Sequence, residues 1–155
     1  SVPVGDELGA LNLYLELESI RFKDKFDYKI TVDDEIDPLI HKIPTMLIQP
    51  YVENSISHGL IPKEGKGFVK IDLKLKNDHL LCVIEDNGIG REAAKDRNLK
   101  REGNHNSLGT QITKSRLELV NELYGTSLLT FYTDLMDENG EPAGTRVEIH
   151  IPLIS

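Results

Sequence analysis

Three short, separated segments carry side chains that could act together chemically. In Gln49-Pro50-Tyr51-Val52-Glu53-Asn54-Ser55-Ile56-Ser57-His58-Gly59, helical spacing sets Glu53 beside Asn54 and puts Asn54 and His58 one turn apart on one face. An amide oxygen and a carboxylate facing a cleft are hard oxygen donors of the kind Mg²⁺ takes. The same residues would serve equally as the polar outer face of a helix closed by Gly59. The second segment, Glu85-Asp86-Asn87-Gly88-Ile89-Gly90, follows an apolar run. A carboxylate at a strand end can accept a hydrogen bond from an exocyclic amine such as adenine N6. Gly88 and Gly90 would let the backbone approach a ligand and take positive φ, although Asp-Asn-Gly is also ordinary turn chemistry. It is not a dinucleotide fingerprint, for it lacks the third glycine and the following helix. The third, Ser107-Leu108-Gly109-Thr110, stands where a helix should begin. Backbone N–H groups at such a terminus attract phosphate, and Ser107 could cap the same helix.

The elements that must position these residues can be read from periodicity. Residues 6–21 are predicted helical: Leu8, Leu11 and Leu15 recur at helical spacing, with Asp6 as N-cap and with Leu13 and Leu17 on a second face. Residues 26–32 alternate as a half-buried strand, and the acidic stretch 33–38 is a loop. Pro44 is expected to open a second helix running to Leu60, with a kink or break at Pro50. Residues 68–75 and 79–85 read as a hairpin joined through Lys76-Asn77-Asp78. The basic, nearly apolar-free stretch 91–107 reads as a mobile loop. A third helix is expected over 109–124, closed by Gly125, and two last strands over 127–134 and 145–152. The composite is α+β, with helices on one face of a mostly antiparallel or mixed sheet.

Composition narrows the function classes. The chain has 155 residues, enough for one domain, and a formal net charge of −8. An acidic average disfavours nucleic acid as a partner, whereas a small anionic ligand feels only the local field. The single cysteine, Cys82, excludes an internal disulfide framework and sits in an apolar run, as a buried core thiol would. No apolar stretch approaches the length that crosses a bilayer, and the N-terminus has no signal-peptide pattern, so the chain reads as a soluble piece.

The order of the segments is more specific than any one of them. Helix with Glu-Asn, strand ending in Asp-x-Gly-x-Gly, basic loop, Gly-led helix and Gly144-Thr145 entering a last strand resemble the Bergerat-fold (GHKL) ATPases. Pro44 to Gly59, the upstream Asp6-Glu7-Leu8 and Tyr14-Leu15-Glu16-Leu17-Glu18-Ser19-Ile20-Arg21-Phe22, and Arg116-Leu117 before Tyr124-Gly125 are similar to the LytS-like branch of sensor histidine kinases. The resemblance implies a two-layer α/β sandwich with a flexible ATP lid. Residues 1–22 would then lead out of a dimerisation and phosphoacceptor region, and residues 23–155 would be the ATP-binding catalytic domain. It further implies a cytoplasmic protein anchored to a membrane only through upstream segments, a homodimer at full length, and a response regulator as indirect partner.

By the same resemblance Asn54 would coordinate Mg²⁺, with Glu53 as second ligand, water holder or base. Asp86 would read adenine with help from Thr145, and Gly88 and Gly90 would shape the pocket. Gly109 would face the phosphates, His58 would touch phosphate, and Arg97, Lys100 or Arg101 would close on the γ-phosphate of ATP. Pro50 stands where fast ATPases of the superfamily carry a water-activating Glu, which argues for phosphoryl transfer over hydrolysis. Ser57 replaces a common Lys, and Ser107 a common Gly. None of the five histidines stands in a phosphoacceptor-like run, so the chain is expected to begin after that helix and to be unable to label itself. The rival expectations are an anti-sigma-factor-type serine kinase and a degenerate docking domain that binds no nucleotide.

Overall fold

The computed structural model describes residues 1–45, 47–77, 79–102, 118–119, 121–123 and 130–154, with backbone only over 97–102. In chain order the elements are β1 (Val2–Pro3), α1 (Val4–Arg21), β2 (Phe26–Val32), β3 (Lys42–Ile43) and α2 (Gln49–Asn54). A π-helical segment (Ser55–Leu60) continues α2, followed by β4 (Gly67–Leu75), β5 (His79–Asp86), α3 (Arg91–Glu102), β6 (Thr130–Met136) and β7 (Pro142–Pro152). Five strands form one mixed sheet in the order β2-β4-β5-β7-β6, parallel only between β2 and β4, and β1 pairs with β3 separately.

Period-two alternation explains the core. Val69, Ile71 and Leu73 on β4, Leu80, Cys82 and Ile84 on β5, and Val147, Ile149 and Ile151 on β7 are all buried. Pairing puts Ile71, Ile84 and Val147 in one cross-strand row, and Leu73, Cys82 and Ile149 in the next. Against this face pack Leu11 and Leu15 of α1, with Val52, Ile56 and Leu60 of the second helical stretch. The other face carries polar residues such as Lys70, Glu85 and Arg146, the last two joined at 2.8 Å. Helices on one face of a mixed sheet is the expected α+β arrangement. The core thiol is as expected too: Cys82 is fully buried, and burial pushes its thiol well above the usual range.

Several boundaries differ from the sequence expectation, each for a physical reason. Helix α1 starts at Val4, and Pro3 rather than Asp6 occupies the cap position without a side-chain bond. The leading N–H groups of Val4 and Gly5 instead donate to the carbonyls of His41 and Pro38, at 2.8 and 2.9 Å. Asp6 lies in the first turn, where its charge suits the helix N-terminus. The second helix begins at Gln49, not Pro44, and Pro50 falls in its first turn, where no N–H is needed; hence nothing kinks there. Gly59 does not close the helix but lies inside the π segment, which is marked by an Ile61 N–H to Ile56 carbonyl bond of 2.9 Å.

The largest correction concerns 91–107, expected as a loop. Residues Arg91–Glu102 form α3. Arg, Glu, Ala and Lys are strong helix formers, so propensity and one buried apolar contact, Ala94, suffice without an apolar stripe. Residues 118–119 and 121–123 are helical, in line with the third helix; the remainder of that helix, Gly125 and residues 103–107 lie outside the described residues. Strands β6 and β7 run to Met136 and start at Pro142, longer than expected around the Asp137 turn.

Candidate functional site

Asp86 is the next member of the β5 row Leu80, Cys82, Ile84, so the alternation that builds the core also delivers a carboxylate to its edge. It is 5% exposed. One carboxylate oxygen, Oδ1, accepts the Gly88 N–H at 2.8 Å; the other accepts the Ser55 hydroxyl. Burial raises the Asp86 carboxyl above the usual carboxylate range, opposed by the bonds from Ser55, Gly88 and the Thr145 backbone. Such a group is a strong acceptor at the floor of a cavity.

Glycines make the cavity possible. A Cβ at Gly88 would lie 2.4 Å from the Gly59 backbone, and one at Gly144 only 1.9 Å from the Asp86 carbonyl oxygen. Gly144 also holds φ +131. The π segment therefore rests directly on the strand-end turn, with Ile89 N–H donating to the Gly59 carbonyl at 3.1 Å. Ser55 and Gly59 lie against Asp86, and Asn54 and His58, one turn apart, line the cavity from the same helical stretch.

The cavity brings together Asn54, His58, Asp86, Gly90 and Thr145 of the expected set. Its floor is the sheet residues Ile84, Asp86, Thr145 and Val147, and its rim is Arg91, Ala94 and Lys95 on α3 with Tyr51 and Tyr132. Gly88 stands behind it, holding Asp86. Glu53 faces elsewhere: it accepts a bond from Gln49 at 3.1 Å and lines a second hollow against α1, with Tyr14, Glu18, Arg21, Phe22 and Ser57. Gly109, Ser107 and Thr110 lie outside the described residues, as do the side chains of Arg97, Lys100 and Arg101.

Sequence reasoning missed Ser55, Arg91, Lys95 and Tyr132 as lining residues, and read Gly59 only as a cap. The Leu80-Cys82-Ile84-Asp86 alternation was a usable signal for Asp86's burial; nothing local marked Tyr132. Among the described residues, no cluster of three or more His, Cys, Asp or Glu could hold a metal. One amide oxygen, on Asn54, lines the cavity. That donor set fits an ion such as Mg²⁺, carried largely by phosphate oxygens and water, and does not fit one caged by protein alone.

Comparison with known proteins agrees with this geometry. Residues 41–155 match the family described as histidine kinase-, DNA gyrase B-, and HSP90-like ATPase. The chain belongs to that family, and its relatives place it in the LytS-like histidine kinase branch as an ATP-binding catalytic domain. It is 41% identical over 91 residues to sensor protein LytS of Oceanobacillus iheyensis, covering 59% of this chain and 15% of that protein. It is 30% identical over 129 residues to sensor histidine kinase BtsS of Escherichia coli K12, covering 82% and 21%. The chain thus spans between 15% and 40% of the length of the first curated relatives it matches. The mycobacterial sensor histidine kinase MprB superposes with TM-score 0.59 at 21% identity, over 94% of this chain and 93% of that one. The blue-light activated histidine kinase of Erythrobacter litoralis gives TM-score 0.60 at 20% identity, over 97% and 42%. These two likenesses speak for the fold alone.

Proposed function

We propose that the domain binds ATP with the adenine amine on Asp86 and passes the γ-phosphate to a histidine imidazole outside this chain. The observation that carries the reading is the buried Asp86 carboxylate at the floor of a largely apolar cavity, held there by close backbone packing at Gly88 and Gly144. A carboxylate there selects a base with an exocyclic amino group. Thr145, paired with Asp86 across the sheet, lies beside the same edge of the base.

Asn54 and His58 line the same cavity from the helical side. In this reading Asn54 supplies the protein oxygen for Mg²⁺, which neutralises phosphate charge when bound, and His58 contacts a phosphate oxygen. Gly109 belongs with the phosphates by position in the family pattern. Phosphoryl transfer asks mainly for positioning and charge neutralisation. A nitrogen of the acceptor imidazole forms its bond to the γ-phosphorus as the bond to the β–γ bridging oxygen breaks, and ADP leaves. Pro50, one turn before Asn54, offers no group to activate water, which favours transfer over hydrolysis. Glu53 faces the α1 hollow and takes no part in holding the nucleotide in this reading.

The two relatives named above are sensor proteins, and this reading carries over a phosphoacceptor helix, a response regulator as indirect partner, a homodimer at full length, and a cytoplasmic domain whose parent is anchored to a membrane through upstream segments. Among the described residues no helix is long and apolar enough to cross a membrane. The test is calorimetric titration with ATP, with and without Mg²⁺, followed by transfer of labelled phosphate to a separately supplied histidine-bearing helix. Mg²⁺-dependent binding and an acid-labile, alkali-stable phosphohistidine are expected. Phosphoserine on a partner would favour the serine-kinase alternative, and no binding by the folded domain would leave a docking module.

A further inference from the structure

On the far side of Thr145 from Asp86 a second carboxylate occupies the same cross-strand row. Pairing of Asp86 with Thr145 and of Thr145 with Asp134 places Asp134 two strands away on the same face, at the sheet's edge. Unlike Asp86 it is well exposed, and Arg91 grips it through two parallel bonds, Nε to Oδ1 at 2.9 Å and Nη2 to Oδ2 at 3.0 Å. The same guanidinium lies 4.7 Å from the centre of the Tyr132 ring, which pairs with Val147 and lines the cavity beside it. Arg91 is the first residue of α3, directly after Gly90 at φ +88.

Resting on the nucleotide reading above, we propose that Arg91 is a positioning residue for the base: clamped by Asp134, it holds Tyr132 and the first turn of α3 as the outer wall against which adenine stacks. The planar fork matters. A guanidinium fixed in two directions by a carboxylate cannot rotate off the ring, so phenol and guanidinium present one flat, rigid surface. Beneath lie Val147 and Thr145, and the opposite side is Asp86, so a planar base is bounded on its amine edge by Asp86 and on its outer side by Tyr132, from neighbouring rows of one sheet face. A wall that touches the base and not the phosphates weakens adenosine and ATP by the same factor when it is lost.

The experiment titrates adenosine and ATP into the native domain, Arg91→Gln, Asp134→Asn, the double variant, Tyr132→Ala and Tyr132→Phe, with melting curves for each. Each of Arg91→Gln and Asp134→Asn should weaken both ligands by about three- to tenfold, the scale of a half-exposed ion pair plus a cation–π contact. The double variant should be no weaker than the worse single one, because either change already frees the clamp. Tyr132→Phe should bind like the native domain, and Tyr132→Ala should lose at least as much as Arg91→Gln. Equal losses for adenosine and ATP separate a base wall from a phosphate contact. Unchanged adenosine binding in Arg91→Gln and Asp134→Asn, or additive losses in the double variant, would overturn the proposal. Should one of these fail to fold, the other decides. A native domain that binds neither ligand overturns the nucleotide reading itself, a different result from native binding that the variants leave untouched.

Discussion

Two hollows flank the second helical stretch, and consecutive residues open into different ones. Asn54 lines the hollow over the sheet, with Asp86 at its floor; Glu53 lines the one toward α1, with Tyr14, Glu18 and Arg21. The strand end that carries Asp86 into the first is fixed by backbone contact: Gly88 packs on Gly59 and Gly144 on the Asp86 carbonyl, where no Cβ fits. The second is walled by long side chains on a helix surface, and the Tyr14 hydroxyl there is pushed up by burial and then by Glu18 and Glu53. A site whose shape is set by backbone contact keeps that shape when empty, whereas one shaped by Glu, Arg and Tyr side chains can reorganise at the cost of rotamers alone. Adjacency along a helix, about 100° apart, therefore says little about shared function.

This contrast can be broken most severely at Gly144. Replacing it with Ala should destabilise the domain by about 4 kcal/mol or more, from the backbone overlap with Asp86 and the positive φ, lowering the melting point by roughly 10 °C. An unchanged melting point would show that the first hollow is not built on backbone contact. Next in size, Asp86→Asn should weaken ATP about a hundredfold by calorimetry, as expected when a charged acceptor of ~2–3 kcal/mol is lost. The same substitution should leave the ligand-free domain as stable as the native one at pH 7, or more so. Burial raises the carboxyl's folded-state pKa, so its contribution to stability is greatest below the unfolded value near ~3.9 and falls as pH rises through the folded value. Any advantage of Asp86→Asn in melting point should thus fade on acidification and vanish below pH ~3.9, where both states become protonated.

A sharper comparison uses the neighbours directly. Asn54→Ala should weaken ATP about tenfold with Mg²⁺ present and much less without it, as for one charge-assisted contact of ~1.5 kcal/mol. Glu53→Ala should leave nucleotide affinity within about twofold, because a side chain in the other hollow removes no contact with the ligand. Equal losses would merge the two hollows into one site. The smallest effect is expected at Ser57, which lines the α1 hollow and donates to the Glu53 carbonyl at 2.8 Å. Ser57→Ala should change ATP affinity by less than about twofold, although relatives commonly carry Lys at this position.

How much of this was legible in the sequence depends on the range of the interactions. Strand β2 and the β4–β5 hairpin were readable because alternation is local and survives folding unchanged. Asp86 was readable both as a motif and as the end of an alternating row. The start of α1 was not, because the groups that satisfy its first N–H donors are carbonyls of residues 38 and 41, far along the chain. The π segment was illegible for a related reason: it packs on Gly88 through Gly59, a contact across the fold that no local pattern marks. Helix α3 was misread because an apolar stripe was demanded where propensity was sufficient. The division between Glu53 and Asn54 needed the position of α1, which no local pattern supplies.

The order of strands in the sheet also bears on when the site can exist as the chain folds. The hairpin of β4 and β5 closes over a few residues, through the Lys76 N–H to the His79 carbonyl at 2.9 Å. Asp86, at the end of that hairpin, meets Thr145 only when β7, the last strand in the sequence, inserts between β5 and β6. Contacts of such long sequence separation form late, after the loop-closure entropy has been met. A nucleotide therefore has no floor to rest on until the final strand is seated. Ligand binds only the completed domain, and so draws the folding equilibrium toward it by mass action.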